Sequence, residues 1–574
     1  MVKLALFSGI FRKRLFENPS FNYAVQLDNE EQITNIFWAD SRMLIDYIYF
    51  GDVIIFDTTY GTNKALRPLA VFTGFNHHRG IIVFGAALLY DETIASFKWL
   101  FKTFLAAHKE KMPQTIFTDQ DAAMAKAINE VMPNTFHGLC SWYIMQNAIK
   151  HLAYLQKGDS TILEEFAKCM FHYENSFEFE EAWDAMNDKY NTHENSWLQG
   201  IYCLKKKWAT CYLKYIFTLG SRSTQASESM NSDVKDNLQY DVSIAKFFGH
   251  FERVVQDKRH NELKADFDSR EKSPTLAYKN SPMLQQASKV YTPNMFKRFQ
   301  KQLDCATAAT IVYSDNSKEV EEYKISLLKS NGQWVVLFNP KDKTISCSCG
   351  LFESLGILCC HALKVYDRFD VKYIPEAYIM KRWTRMAKSG YTEDEGQIIV
   401  EDVNLQVTKR YRSLCPRMVR LASRASEDKE IFAMVLATME ELEKKVDNQL
   451  TMKQDIIRES SQNEQPSQLV MGNIKGIKKR VVGRKGGKQP LSFLERQLNG
   501  KGKRTSRNIS KDDASCSQTP TNNMEMQGQL SMPISTFESP LVHRPATSFL
   551  ELLSGQIFIG AIQSSQAPYD FMDL

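Results

Sequence analysis

GDVIIFDTTYGTNKALRPLAVFTGFNHHRGIIVFGAALLYDETIASFKWLFKTFLAAHKEKMPQTIFTDQD, residues 51–121, is the stretch that decides the fold of this 574-residue chain. Three apolar runs rich in β-branched and aromatic residues come first, VIIFDTTY, LAVFTGFN and GIIVFGAALLY, separated by short loops. A segment with helical apolar spacing follows, TIASFKWLFKTFLAAHK, and then a fourth strand-like run, QTIFTDQ. AAMAKAINEVM, TFHGLC and WYIMQNAIKHL continue as helix, strand and helix to about residue 150. Three strands on tight loops and then strand–helix alternation is the order of a ribonuclease-H-like α/β sheet, which is the expected fold of residues 51–150.

Asp57 lies inside the first of these runs, between Phe56 and Thr58, where a carboxylate is costly to bury without a cation or hydrogen-bond donors. Asp119 ends the fourth run. On adjacent strands the two acids can converge on one oxygen-liganded divalent ion, Mg²⁺ or Mn²⁺, of the type that runs in-line phosphoryl displacement on nucleic acid. Taken singly, each has a plainer reading: Asp57 as a satisfied polar residue near a turn, Asp119 as the N-cap of the AAMAKAINEVM helix.

Outward from this core, FNYAVQLDNEEQITNIFWAD reads as strand and turn and SRMLIDYIYFG as a short helix, so residues 1–50 are expected to be a lead-in. Residues 151–265 are expected to be a helical insertion and the end of the core, with FEFEEAWDAMNDKY and SIAKFFGHFERVVQDKRHNELKADF its clearest helices. Between these, GSRSTQASESMNSDVKDNL reads as a loop entering a helix, with Ser227 or Ser229 as cap. Residues 266–320 read as a linker. EEYKISLL and QWVVLF, joined through Asn331-Gly332, then signal a hairpin within 321–375. Residues 376–453 are expected to be helical, ending in KEIFAMVLATMEELEKKVDNQL, and 454–574 a mostly disordered tail.

Charge is unevenly spread. Residues 475–507 hold 12 Lys and Arg against the single acid Glu495, a charge of +11, which leaves −6 for the rest of a chain whose net charge is +5. Lys478-Lys479-Arg480 and Lys501-Gly502-Lys503-Arg504 in that run suit a nuclear-localisation signal or a phosphate-binding arm. The opening MVKLALFSGIFRKR places its basic residues after a short apolar run, the reverse of a secretion signal. No apolar run approaches the ~20 residues that span a bilayer. The expected setting is the cytosol or nucleus, without a membrane partner.

Of 11 cysteines, four fall at Cys347, Cys349, Cys359 and Cys360, beside His361. On a strand Cys347 and Cys349 face the same side, and Cys359 and His361 can complete a tetrahedral set from the turn into CHALKVYDRF, with Cys360 the alternative to Cys359. Three thiolates and an imidazole make a closed structural zinc site. His137 and Cys140 form a weaker candidate, because Tyr143 stands where a further histidine would be needed; that stretch reads as core strand into helix.

FDTTYGTN (56–63), GFNHHRGIIVFGAALL (74–89), TDQDAAMAKAI (118–128), HGLCSWYIMQN (137–147), STQASESMNS (223–232) and CSCGLFESLGILCCHAL (347–363) together resemble the far-red-impaired-response, or FAR1-related, family of plant transcription factors. That family looks like a domesticated Mutator-like (MULE) transposase carrying a SWIM-type zinc finger, here a small ββα unit. The resemblance implies that Asp57, Asp119 and Glu228 match the three transposase acids, and Cys347, Cys349, Cys359 and His361 the SWIM zinc ligands. It implies a nuclear, zinc-binding, DNA-associated transcriptional regulator, not an enzyme, that forms homo- or hetero-oligomers with family members. Mg²⁺ or Mn²⁺ enters only if the acids are active, as in a metal-dependent transposase. The sequence departs from the family pattern in two respects. Tyr143 replaces the histidine of the transposases, and nothing before Phe21 can make the usual N-terminal zinc finger, so weak or indirect DNA binding, or a role modulating full-length relatives, is also expected.

Overall fold

A computed structural model describes residues 21–388 except 61, 64, 156–160, 222, 224, 237–242 and 329–331, together with most of 414–460 and residues 476–478. The sheet opens with β1 (Asn22–Leu27) and β2 (Gln32–Ala39), followed by helix α1 (Ser41–Phe50). Strands β3 (Val53–Thr59), β4 (Leu69–Phe75) and β5 (Ile81–Leu88) then lead into α2 (Ile94–Ala107). Strand β6 (Thr115–Thr118), helix α3 (Ala122–Val131), strand β7 (Phe136–Leu139) and helix α4 (Ser141–Leu152) complete the alternation.

The strands lie in the order β1-β2-β5-β4-β3-β6-β7. Strands β3, β4 and β5 pair antiparallel, while β6 lies parallel to β3 and β7 parallel to β6. Counted from β3, this is the 3-2-1-4-5 order of a ribonuclease-H-like sheet. The segment expected as a lead-in is not outside it: β1 and β2 extend the same sheet beyond β5. Strand β3 is apolar on both faces because both are covered, so it reads as a continuous hydrophobic run rather than an alternating one. Phe56, Phe72, Phe101 and Phe104 interlock where α2 crosses β3 and β4, with Phe72 and Phe104 stacked at 4.0 Å.

A helical body follows, made of α5 (Ile162–Phe171), α6 (Ser176–Tyr190), α7 (Ser196–Cys203) and the short α8 (Thr210–Leu213). It has its own apolar core around Phe166, Phe179, Trp183 and Trp208. The chain returns to the sheet through α9 (Gln225–Asp236) and the 28-residue α10 (Ile244–Glu271), whose Phe247, Phe248 and Phe251 surround Trp38 of β2. Helix α9 begins at Gln225, so Ser227 and Ser229 lie within it and neither caps it.

Residues 266–320 are not a linker. After the end of α10 they form α11 (Pro282–Val290), α12 (Pro293–Thr307) and β8 (Ala309–Asp315). Proline at the start of α11 and α12 supplies the fixed φ of a first helical turn and gives up only an N–H that would have no helical partner. Strand β8 joins β9 (Glu321–Leu327), β10 (Gln333–Phe338) and β11 (Ile345–Cys347) in a second, antiparallel sheet ordered β11-β10-β9-β8. Strands β9 and β10 pair with Gln333 opposite Ser326; Asn331 of the expected turn lies outside the described residues. Helices α13 (Leu351–Leu355) and α14 (Cys360–Arg368) close this module, and β10, β11 and α14 form its ββα unit.

Helix α15 (Lys429–Ser460) and a two-residue strand, β12 (Gly476–Ile477), are described beyond it. Strand β12 runs parallel to β2 at Gln32 and Ile33. Apart from α15 and residues 476–478, the expected tail and its basic run lie outside the described residues.

Candidate metal centres

The parallel register of β3 and β6 brings two acids together. Ile55 pairs with Phe117, and two residues further along each chain stand Asp57 and Asp119, on the same side by strand periodicity. Asp57 is 4% exposed, and its carboxyl is pushed well above the usual carboxylate range by burial and then by the charges of Asp119 and Glu228. Glu228 reaches it from the first turn of α9, whose contact with β3 brings residues far apart in sequence to one place. Burial, then Asp121 and Glu92, push Asp119 up to about 7. Asn231, one turn beyond Glu228, donates from its side-chain amide to Asp57 Oδ2 at 2.9 Å.

Asp119 is not the helix cap. That place belongs to Asp121, which has extended backbone angles and accepts from the Met124 N–H at 2.7 Å. Asp119 Oδ1 is buried without a hydrogen-bond partner. A helix cap would have spent that oxygen on a backbone N–H, so it is left for another ligand. Tyr143 faces the same cluster from α4: its phenol is pushed well above its ordinary range by burial and then by Asp57 and Glu228, among others. His137 is a satisfied core histidine, bonded through Nε2 to Thr118 Oγ1 at 2.8 Å and through Nδ1 to Lys207 Nζ at 3.2 Å.

The donor set of the acidic cluster suits a hard divalent cation, with Asp119 and Glu228 close enough to Asp57 to favour its protonated form. Among the described residues, the oxygens of Asp57, Asp119 and Glu228 do not all come within 4.8 Å of one another. Asp57, Asp119 and Glu228 would have to draw inward to share one ion.

The second centre is tighter. One ligand atom from each of Cys347, Cys349, Cys359 and His361 lies within 4.8 Å of all the others. Cys347 ends β11, and Cys349 sits in the turn that follows. Gly350, at φ +66°, then reverses the chain against the backbone of Lys214, where a Cβ would collide. Cys359 is the N-cap of α14 and His361 lies in that helix's first turn. Cys347 Sγ is 3.6 Å from His361 Nδ1, which identifies the ring nitrogen that faces the sulfurs. His361 Nε2 is buried without a partner, and the ring stacks on Trp334 at 4.2 Å. Contacts with Cys349 and Cys359 push the Cys347 thiol up, while Cys347 and Cys349 hold Cys359 well below the thiol range. Such sharing of protons among crowded sulfurs is what a thiophilic cation relieves. Cys359 and Cys360 are both buried, but it is Cys359 that brings its sulfur to the other three ligand atoms, so Cys359 and not Cys360 joins the set.

Two family models match parts of the chain. The model described as "MULE transposase domain" matches residues 53–147, and that described as "SWIM zinc finger" matches 334–368. In Arabidopsis thaliana the chain is 30% identical to Protein FAR1-RELATED SEQUENCE 9 over 441 residues, 76% of this chain and 79% of that protein. The chain belongs to the FAR1-related family. Other members align across less of their own length: Protein FAR1-RELATED SEQUENCE 5 at 34% identity (71% of this chain, 51% of that one) and Protein FAR-RED IMPAIRED RESPONSE 1 at 31% (85% and 59%). The chain thus spans a little over half the length of these two FAR1-related proteins.

In this member of the family, residues that local sequence patterns do not point to complete both centres. Asn231 follows Glu228 by three residues, and that spacing on a helix is the one signal that could have linked it to Asp57. Trp334 donates to Glu174 of the helical body at 2.6 Å while stacking on His361, and nothing local in the sequence connects positions 174, 334 and 361.

Proposed function

We propose that this chain is a nuclear transcriptional regulator built on a Mutator-like transposase core, with a structural zinc ion held by Cys347, Cys349, Cys359 and His361. Membership of the FAR1-related family carries this reading, and the name FAR-RED IMPAIRED RESPONSE 1 of one relative supports a role in a response to far-red light. Zinc, when bound, supplies four coordinate bonds and with them folding free energy. The chain's own part is to present three sulfurs and His361 Nδ1 from one strand end, one turn and one helix start, backed by Trp334. Its partners on this reading are DNA, bound directly or through other members of the family, and further copies or relatives of the chain. The basic run at 475–507 supports nuclear import or phosphate contact.

A second reading, an active transposase using Mg²⁺ or Mn²⁺, is favoured by one observation: Asp119 and Glu228 come close enough to the buried Asp57 to push its carboxyl further up. Two assays decide between the readings. The tagged chain, expressed in plant cells with and without a longer relative, is expected to occupy discrete chromatin loci; absence from chromatin in both cases overturns the regulator. Purified chain with Mg²⁺ or Mn²⁺ is expected to leave DNA ends intact. Nicking or joining that Asp57→Asn abolishes would establish the transposase.

A further inference from the structure

A third cluster stands apart from both centres. The turn between β4 and β5 carries His77 and His78, and α10 lays Asp266 across them. Both Nε2 atoms point at the same carboxylate oxygen, Asp266 Oδ1, at 2.9 Å for His77 and 2.7 Å for His78. One ligand atom from each of the three residues lies within 4.8 Å of the others.

The surroundings hold the turn and the His77 ring in place. Asn76 Oδ1 accepts from the N–H groups of His78 and Gly80, at 3.0 and 2.8 Å, which locks the turn. Thr292 Oγ1 donates to the His77 carbonyl at 2.7 Å, and the His77 ring lies flat against Phe50 at 5.6 Å. His77 is 2% exposed, and burial pushes its imidazole down towards the neutral form, the form that offers a lone pair to a cation. Burial would raise Asp266, but its bonds to His77 and His78 prevail and hold it well below the carboxylate range.

The other nitrogen of His77, Nδ1, is buried without a hydrogen bond and lies 4.0 Å from Glu262 Oε1. Glu262 is held there by Lys388 and Arg42, so it lies near His77 Nδ1 without accepting a hydrogen bond from it. His78 also lines a cleft of about 330 Å³ with Asn76, Arg79, Lys258 and Asn261, so water can reach the cluster from one side.

We propose that His77, His78 and Asp266 form a second metal site, which takes a zinc-class divalent ion through the two Nε2 atoms and the Asp266 carboxylate and leaves a fourth position open to water. Two imidazoles and one carboxylate suit Zn²⁺ and its neighbours better than Mg²⁺. Ligand bonds of ~2.0 Å at tetrahedral angles place donors ~3.3 Å apart, so Asp266 Oδ1, at 2.9 and 2.7 Å from the two Nε2 atoms, needs to draw back from each by only about half an ångström. The ion would fasten α10 to the β4–β5 turn. The site stands whether or not the core cuts DNA.

Cobalt titration of the full chain is the test, because Co²⁺ reports its ligands in its spectrum. Two equivalents are expected to bind: one with near-ultraviolet thiolate-to-metal charge transfer, one without. Asp266→Asn and His78→Gln should each lose the equivalent without thiolate and keep the other, which also shows that the variant is folded. Cys359→Ser should lose the thiolate signal and keep the second equivalent. Zn²⁺ beyond one equivalent should raise the Tm of the wild type and leave that of Asp266→Asn unchanged. A wild type that saturates at one equivalent, or two equivalents retained in both Asp266→Asn and His78→Gln, overturns the site.

Discussion

Replacing Asp119 by Asn should stabilise the protein at neutral pH in the absence of added Mg²⁺ or Mn²⁺. Asp119 is shielded from water at Oδ1, has no hydrogen bond there, and shares its surroundings with Asp121 and Glu92. Folding therefore raises its pKa from 3.8 to about 7. The folded state holds this proton more tightly than the unfolded chain, so the group favours folding fully below 3.8, and that contribution is lost as pH rises through about 7. The span from 3.8 to about 7 corresponds to roughly 4 kcal/mol of stability forgone at pH 8. Asn keeps the shape without the charge, so Asp119→Asn should recover most of that: a gain in Tm of roughly 10 °C at pH 8 for a domain of this size, shrinking to nothing near pH 4. Thermal unfolding of the zinc-loaded wild type and Asp119→Asn, followed by circular dichroism from pH 4 to 8, measures the difference directly. A variant less stable than wild type at pH 8, or a difference that does not change with pH, would refute the reasoning.

Two further outcomes follow from the packing. Cys359→Ser should lose one equivalent of zinc and unfold the ββα unit, whereas Cys360→Ser should keep its full zinc content and lose only ~1–3 kcal/mol from burying a hydroxyl in an apolar core, as metal analysis and thermal unfolding would show. Lys388 bridges Asp46, at 2.9 Å, and Glu262 in the interior, so Lys388→Met should cost ~3–5 kcal/mol in denaturant unfolding at pH 7, towards the lower end because Arg42 still contacts both acids. Burial works against Asp46, but Arg42 and Lys388 hold it at about 2, so in the wild type its share of the stability is present above 3.8 and lost only as pH falls through about 2.

What could be read without coordinates is what neighbours in sequence decide. The runs around Phe56, Phe72 and Phe84 declare strands because strand propensity and apolar continuity are local, and TIASFKWLFKTFLAAHK declares a helix by its period. The Cys/His set was legible for the same reason: Cys347, Cys349, Cys359 and His361 span only 15 residues, and a strand end followed by a helix start fixes where they can meet. Their geometry in the structure is the one that spacing allows, and what the local pattern left open, Cys359 against Cys360, was decided by where the helix starts: Cys359 caps it and faces the other ligands, while Cys360 is its first residue.

The rest depended on contacts that local patterns do not encode. Asp119 and Asp121 are both plausible caps two residues apart, and only the entry angle of α3 gives the role to Asp121 and frees Asp119. Residues 22–39 read as a lead-in because nothing in their own pattern says that β2 will pair with β5 across half a domain. Glu228 was suggested by resemblance alone. What brings it to Asp57 is the return of α9 to the sheet after the whole helical body, a contact paid for by the burial of Met230 and Val234 in the sheet's core. His77-His78 in sequence is an ordinary polar turn. It becomes a candidate metal site only because a 28-residue helix, anchored at its start by three phenylalanines around Trp38, carries Asp266 to it from 188 positions away. Local propensity chose the elements of this protein, while hydrophobic burial between distant segments decided which of its acids and histidines face one another.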